Sequence, residues 1–254
     1  MSFDLVIFDC DGVLVDSEAL ACVVHADVLT AYGYPITSAQ VHERFLGRSA
    51  REARAEVEAE MGRVLPDDYT HTLRSTIDQV FGEQLQPVPG IGDVLAGLAQ
   101  QKCVASSGTP TRIRSSLTTT KLIHHFGEHL YSALQVERGK PAPDLFLFAA
   151  AQMGVEPARC VVIEDSIHGV TGAVAAGMTV FGFHGGAHCS PATAGALQAT
   201  GAHLVFDDMR RLPALIDAGV PGARAFDPGY RIEIARNSRG HPSRRRSAAP
   251  QDEG

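Results

Sequence analysis

Asp9 and Asp11 are the residues of this sequence whose placement most directly suggests chemistry. They close an apolar run, Phe3 to Gly12, that reads F-D-L-V-I-F-D-C-D-G. Side chains two apart in an extended segment point the same way, so both carboxylates can address one centre beyond the end of a strand. Gly12 permits a tight turn behind them, and Cys10, between them, faces away. A calcium loop does not fit, because its third acidic ligand would fall at Val13 and its glycine at Leu14. Alone, D-x-D-G is also what a plain turn at a strand end looks like, so partners elsewhere have to separate the readings.

Three later segments supply such partners. Cys103-Val104-Ala105 runs into Ser106-Ser107-Gly108-Thr109, Lys140 stands in G-K-P-A-P-D, and Cys160-Val161-Val162-Ile163 runs into Glu164-Asp165-Ser166. Together these make a set for phosphoryl transfer: a carboxylate nucleophile, an acid/base, a hydroxyl and an ammonium for phosphoryl oxygens, and further acids for a metal. With four such motifs in this order over roughly residues 3 to 206, the chain resembles the haloacid dehalogenase-like (HAD) hydrolases. Within them, V-A-S-S-G and A-G-M-T-V-F-G-F resemble bacterial sugar-phosphate phosphatases, including those for 6-phosphogluconate.

The resemblance implies roles for each residue. Asp9 would attack phosphorus and carry an aspartyl-phosphate that water then hydrolyses. Asp11 would protonate the leaving alkoxide and then act as base for the water; family members that displace halide lack an acid there. Mg2+ is the implied cofactor, held by the Asp9 carboxylate, the Asp11 backbone carbonyl and Asp165, with Glu164 a further ligand, directly or through water, or an outer group. Ser106 and the Ser107 N–H would hold a phosphoryl oxygen, and Lys140 would neutralise the phosphate and Asp9. The loop Phe45-Leu46-Gly47-Arg48-Ser49 lies where the family reads its substrate. Arg48 there either pairs with an anionic group of the substrate or is a solvated arginine.

Three activities compete. The first is a Mg2+-dependent phosphatase acting on a small sugar or sugar-acid phosphate. The second is a β-phosphoglucomutase, which shares the motifs; however, those mutases carry histidine where this chain has Ala21, with His25 one turn on, and arginine where it has Ala50, between Arg48 and Arg51. The third is a non-enzymatic phospho-accepting receiver, which would be shorter and would leave Asp11 idle. Phosphatase is favoured. Other histidines attract weaker readings: adjacent His124 and His125 are expected to point apart on a surface turn, His184, His188 and Cys189 to lie in a plain loop, and His168 on a helix surface.

The elements that must position these residues are readable as a change of period. After the first strand, Leu20, Val24 and Val28, then Ala50, Ala53, Val57 and Met61, then Tyr69, Leu73, Ile77 and Phe81 recur at helical spacing. Thr37 or Ser38, Ser49, and Pro66 with Asp67 serve as start signals, and hinges are expected at 14–17 and 86–90. From Ile91 strands and helices alternate, which implies a parallel sheet. Helices are expected to about Gln100, after Pro110, from Pro143 to Met153 and from Ser166 to Ala176. Strands are expected at Leu130 to Ser132, Met178 to Phe183 and His203 to Phe206. The fold class is therefore α/β, and the resemblance makes it a Rossmann-like core (1–16 and 87–221) with an inserted all-helical cap (17–86).

Composition bounds the rest. At 254 residues, 44% apolar and 20% charged, the chain can bury a sizeable core. It has no apolar stretch near the ~18 residues of a membrane span and no signal-peptide pattern, so a cytoplasmic protein is expected. Five scattered cysteines indicate neither disulfides nor zinc. The net charge of −7 combines seven arginines and four acids in residues 222–254, read as a disordered tail, with a remainder near −10. An acidic body argues against nucleic acid as a partner. A small phosphate ester and a monomer or small homo-oligomer are expected, the phosphate drawn in by local positive charge.

Overall fold

The computed structural model describes residues 2–45 and 50–219. Six strands, β1 (Leu5–Phe8), β2 (Gln101–Ser106), β3 (Leu130–Ser132), β4 (Cys160–Glu164), β5 (Thr179–Phe183) and β6 (Leu204–Phe206), form one parallel sheet in the order β3-β2-β1-β4-β5-β6. Ile7 stands opposite Cys103 on one side and Val162 on the other. Both central strands β1 and β4 are buried throughout. That explains why they read as continuous apolar runs instead of alternating ones.

The two faces of the sheet are covered by different helices. Leu5, Ile7, Cys103 and Val162 face a layer that includes Phe146 of α7 (Asp144–Met153), Val170 of α8 (Ile167–Ala175) and Leu197 of α9 (Thr193–Thr200). Val6, Phe8, Val104 and Ile163 face the other layer. It includes Ile91 of α5 (Ile91–Gly97), Ile113 of α6 (Pro110–Thr119) and Leu212 of α10 (Leu212–Ala218). This is the expected α/β arrangement of a parallel sheet between helices.

Four more helices lie between β1 and α5: α1 (Glu18–Ala31), α2 (Ser38–Phe45), α3 (Ala50–Met61) and α4 (Tyr69–Gln84). Tyr69, Leu73, Ile77 and Phe81, the stripe of α4, are all buried, and Tyr32 meets the Tyr69 ring edge-on at 5.4 Å. Thr37 starts α2, its hydroxyl accepting from the Gln40 N–H at 3.2 Å while Gln40 Oε1 accepts from the Thr37 N–H at 2.9 Å. The chain enters and leaves these helices through neighbouring segments. The Asp16 N–H donates to Gln86 O at 3.0 Å, and the Val88 N–H donates to Leu14 O at 3.0 Å.

Several element ends differ from expectation. α4 begins at Tyr69 instead of beside Pro66, and α5 ends at Gly97, because Leu98 turns to an extended backbone. α9 and α10 have no counterpart in the sequence reading. α9 buries one large side chain, Leu197, among small and polar residues, too few for a period to register. His124 and His125 do form a turn, but instead of pointing apart their rings lie side by side, centroids 3.9 Å apart. Arg48, Ser49 and the 222–254 tail lie outside the described residues. Among the described residues no helix is long and apolar enough to cross a membrane.

Candidate active site

The carboxyl ends of β1, β2 and β4 and the loop carrying Lys140 meet at one point. β1 lies between β2 and β4, where the strand order reverses direction, which is where open α/β sheets form a crevice. The Asp9 N–H donates to Ile163 O at 3.0 Å, so its backbone stays clamped to β4 just past the last β1 residue. Lys140 Nζ donates to Asp9 Oδ1 at 2.6 Å and to Glu164 Oε1, bridging residues that are far apart in sequence. The ammonium is almost fully enclosed, 5.2 Å from the centre of the Phe146 ring.

Glu164 is held on its other oxygen as well. Oε2 accepts from the Asp165 N–H at 3.1 Å, the Ser166 N–H at 3.1 Å and the Ser166 hydroxyl at 3.0 Å. Gly169 makes room for this, since a Cβ there would sit 1.8 Å from Glu164 Oε1. Gly12, with φ +81°, does the same for Asp165: a Cβ would fall 1.9 Å from Asp165 Oδ2. Gly12 thus both turns the chain and lets the last acid approach the first.

Asp9, Glu164 and Asp165 offer oxygens that all lie within 4.8 Å of one another. Burial, then the neighbouring carboxylates, push the Asp9 carboxyl up, with Lys140 opposing. Burial likewise raises Asp165. For Lys140, burial pulls down, but Asp9 and Glu164 together outweigh it and hold the ammonium charged. Three buried carboxylates thus share one lysine. An all-oxygen cluster short of positive charge fits a hard divalent cation such as magnesium.

Asp11 stands to one side, its Oδ1 accepting from the Ser17 hydroxyl at 2.7 Å. Ser106, buried at the end of β2, accepts the Gly108 N–H on Oγ at 3.0 Å, which leaves its hydroxyl hydrogen to donate elsewhere. Ser107 is exposed on the turn that follows. Of the expected residues, Asp9, Lys140, Glu164 and Asp165 touch or nearly touch, while Asp11 and Ser106 flank them. Cys10 is buried away from solvent, and burial raises its thiol far above the ordinary range.

Three residues at the site escaped the sequence reading. His188, expected in a plain loop, sends Nε2 to within 2.9 Å of Asp165 Oδ2; burial opposes its charge, but that contact and Cys189 raise it to about 10. Its position after Gly185-Gly186, past the end of β5, was the available clue, because loops at strand carboxyl ends face the crevice. Glu18, the first residue of α1, is pushed up to about 7 by burial and then by Asp11 and Asp165. Arg112 of α6 places an Nη 3.9 Å from Asp11 Oδ1.

A family profile described as haloacid dehalogenase-like hydrolase matches residues 6–183. The chain belongs to this family. The 6-phosphogluconate phosphatase of Escherichia coli K12 is 31% identical over 189 residues, which cover 74% of this chain and 86% of that one. A haloacid dehalogenase-like protein of unknown function from Agrobacterium tumefaciens strain C58 superposes with a TM-score of 0.78 at 42% identity, covering 85% of this chain and 99% of that one. A HAD family hydrolase of Deinococcus radiodurans R1, solved with bound phosphate and sodium, gives 0.75 at 32% identity, covering 87% and 99%. With such relatives, this HAD chain is a phosphoric monoester hydrolase.

Proposed function

We propose that this HAD hydrolase is a magnesium-dependent phosphatase of a small sugar or sugar-acid phosphate, working through an aspartyl-phosphate on Asp9. The observation that carries the reading is Lys140 bridging Asp9 and Glu164 beside Asp165, with Asp11 held apart by Ser17. The 6-phosphogluconate activity of the Escherichia coli relative and the phosphate bound by the Deinococcus radiodurans neighbour support it.

In this reading Asp9 attacks phosphorus in line, while Lys140 and the Ser106 hydroxyl hold the phosphoryl oxygens. Asp11 gives its proton to the leaving sugar oxygen; the carboxylate so formed takes a proton from the water that hydrolyses the acyl phosphate, and inorganic phosphate leaves. Asp9, Asp165 and the Asp11 carbonyl would hold magnesium, with Glu164 directly or through water, and the ion would supply positive charge to the phosphoryl group. The Ser17 hydroxyl keeps Asp11 aimed. The α1–α4 segment, entered and left through its paired connections at 14–16 and 86–88, would act as a cap that closes over bound substrate and reads it, Arg48 taking part. Ala21 of α1, where the mutases carry histidine, favours hydrolysis over transfer to a second hydroxyl.

Phosphate release from a panel of sugar and sugar-acid phosphates, with magnesium and with chelator, tests the proposal. Free phosphate in magnesium alone is expected. Conversion of β-glucose 1-phosphate to glucose 6-phosphate without phosphate release would replace it with the mutase reading.

A further inference from the structure

Arg112 is a cation at the crevice that the proposed reaction does not use. Its side chain is only 31% exposed, and its guanidinium lies 4.6 Å from the centre of the Phe81 ring. Phe81 belongs to α4, so the arginine of the sheet-side helix α6 rests on the helical segment opposite. Stacking engages the flat face of a guanidinium and leaves its N–H edge free to receive a planar anion. Among the described residues that edge has no carboxylate in hydrogen-bond range: Asp11 is 3.9 Å away and is itself occupied by the Ser17 hydroxyl at 2.7 Å. Among the described residues no side-chain hydrogen bond of Arg112 is formed. Its charge is felt across the crevice by Glu18 and His25 of α1.

Asp11 marks where the leaving oxygen must lie, because an acid has to be within hydrogen-bond reach of the atom it protonates. The body of the leaving group therefore begins beside Arg112. We propose that Arg112 binds a carboxylate on the leaving group and makes the enzyme prefer sugar-acid phosphates over neutral ones, an inference that rests on the phosphatase reading above. A half-buried, pre-stacked arginine can offer two parallel N–H bonds to a carboxylate, which a neutral hydroxymethyl group cannot match. Because Phe81 and Arg112 come from opposite walls, such an anion is gripped where the walls meet.

The test compares 6-phosphogluconate with glucitol 6-phosphate, open chains of the same length that differ in carrying a carboxylate or a hydroxymethyl group at C1. Wild type should favour the acid in kcat/KM, and R112Q should cut that preference on the order of 10- to 100-fold, chiefly through KM for the acid. R112K, which keeps the charge and loses the fork, should fall between them. Melting temperatures of the variants close to wild type exclude a folding defect. A preference unchanged in R112Q, an equal loss on both substrates, or a wild type that favours the neutral ester overturns the inference and leaves the phosphatase reading standing. No phosphate release from these or from p-nitrophenyl phosphate overturns both.

Discussion

The strand ends and the α1–α4 segment hold their charges in opposite ways. Around Asp9, three acids and a lysine are enclosed, and each oxygen of Glu164 has an assigned donor. On α2 and α3 the charges are partly open to solvent and paired along the surface. Arg44 meets Glu56 at 2.8 Å and Glu60 at 2.5 Å, and Arg54 meets Glu58 at 2.7 Å. Enclosed charges interact strongly, whereas exposed pairs are screened and contribute little. Charge is thus enclosed and shared at the strand ends, and spread in open pairs over the surface of α2 and α3.

The sharpest way to break this contrast is at the enclosed cluster. Asp9→Asn should abolish phosphate release while keeping the melting temperature within a few degrees, since the amide is nearly isosteric; substantial residual turnover would remove Asp9 as nucleophile. Asp165→Ala should likewise abolish activity, and calorimetry should no longer detect magnesium binding to it, whereas wild type binds and is stabilised. Full activity of wild type in excess chelator would contradict the metal requirement.

Next in size is Asp11→Asn, expected to lose on the order of 10²–10⁴-fold on sugar phosphates. The loss should shrink with p-nitrophenyl phosphate, whose leaving group needs little protonation, and equal losses on both would take the acid role from Asp11. Glu18 sharpens the comparison in stability. Its carboxyl is raised from 4.5 to about 7, so between those pH values the unfolded chain releases a proton that the folded chain keeps, and stability falls as pH rises. Glu18→Gln should match wild type near pH 4 and exceed it above pH 7 by no more than about 3 kcal/mol, read from urea midpoints. Equal pH profiles would show that Glu18 is not held in its raised state. The smallest effect is expected on the open surface, where Glu60→Gln should cost less than about 1 kcal/mol and leave kcat unchanged.

How much of this was legible follows from the range of each signal. β3 falls at Leu130–Ser132 and α4 carries its predicted stripe, because strand runs and helical spacing are local patterns, whereas of the stripe expected on α3 only Val57 is buried and Ala50 is exposed. Asp9, Asp11, Glu164 and Asp165 were legible because each lies at the end of an apolar run. Lys140 was legible only as one member of the ordered set of motifs, since a lysine between glycine and proline has no local pattern of its own. His188, Glu18 and Arg112 had weak local signals: a histidine in a glycine loop, an acid opening a helix, an arginine behind a cap.

By itself, the sequence determined which strands end in carboxylates, where the helices up to α8 interrupt them and which family's motifs they compose. Only the tertiary structure decided that Lys140 lies between Asp9 and Glu164, that Gly12 admits Asp165, that His188 reaches that acid, and that Arg112 stacks on Phe81. The physical reason is range. Backbone periodicity is set by residues a few positions apart, whereas the charge and burial of a site are set by side chains that only the packed sheet and helices bring together.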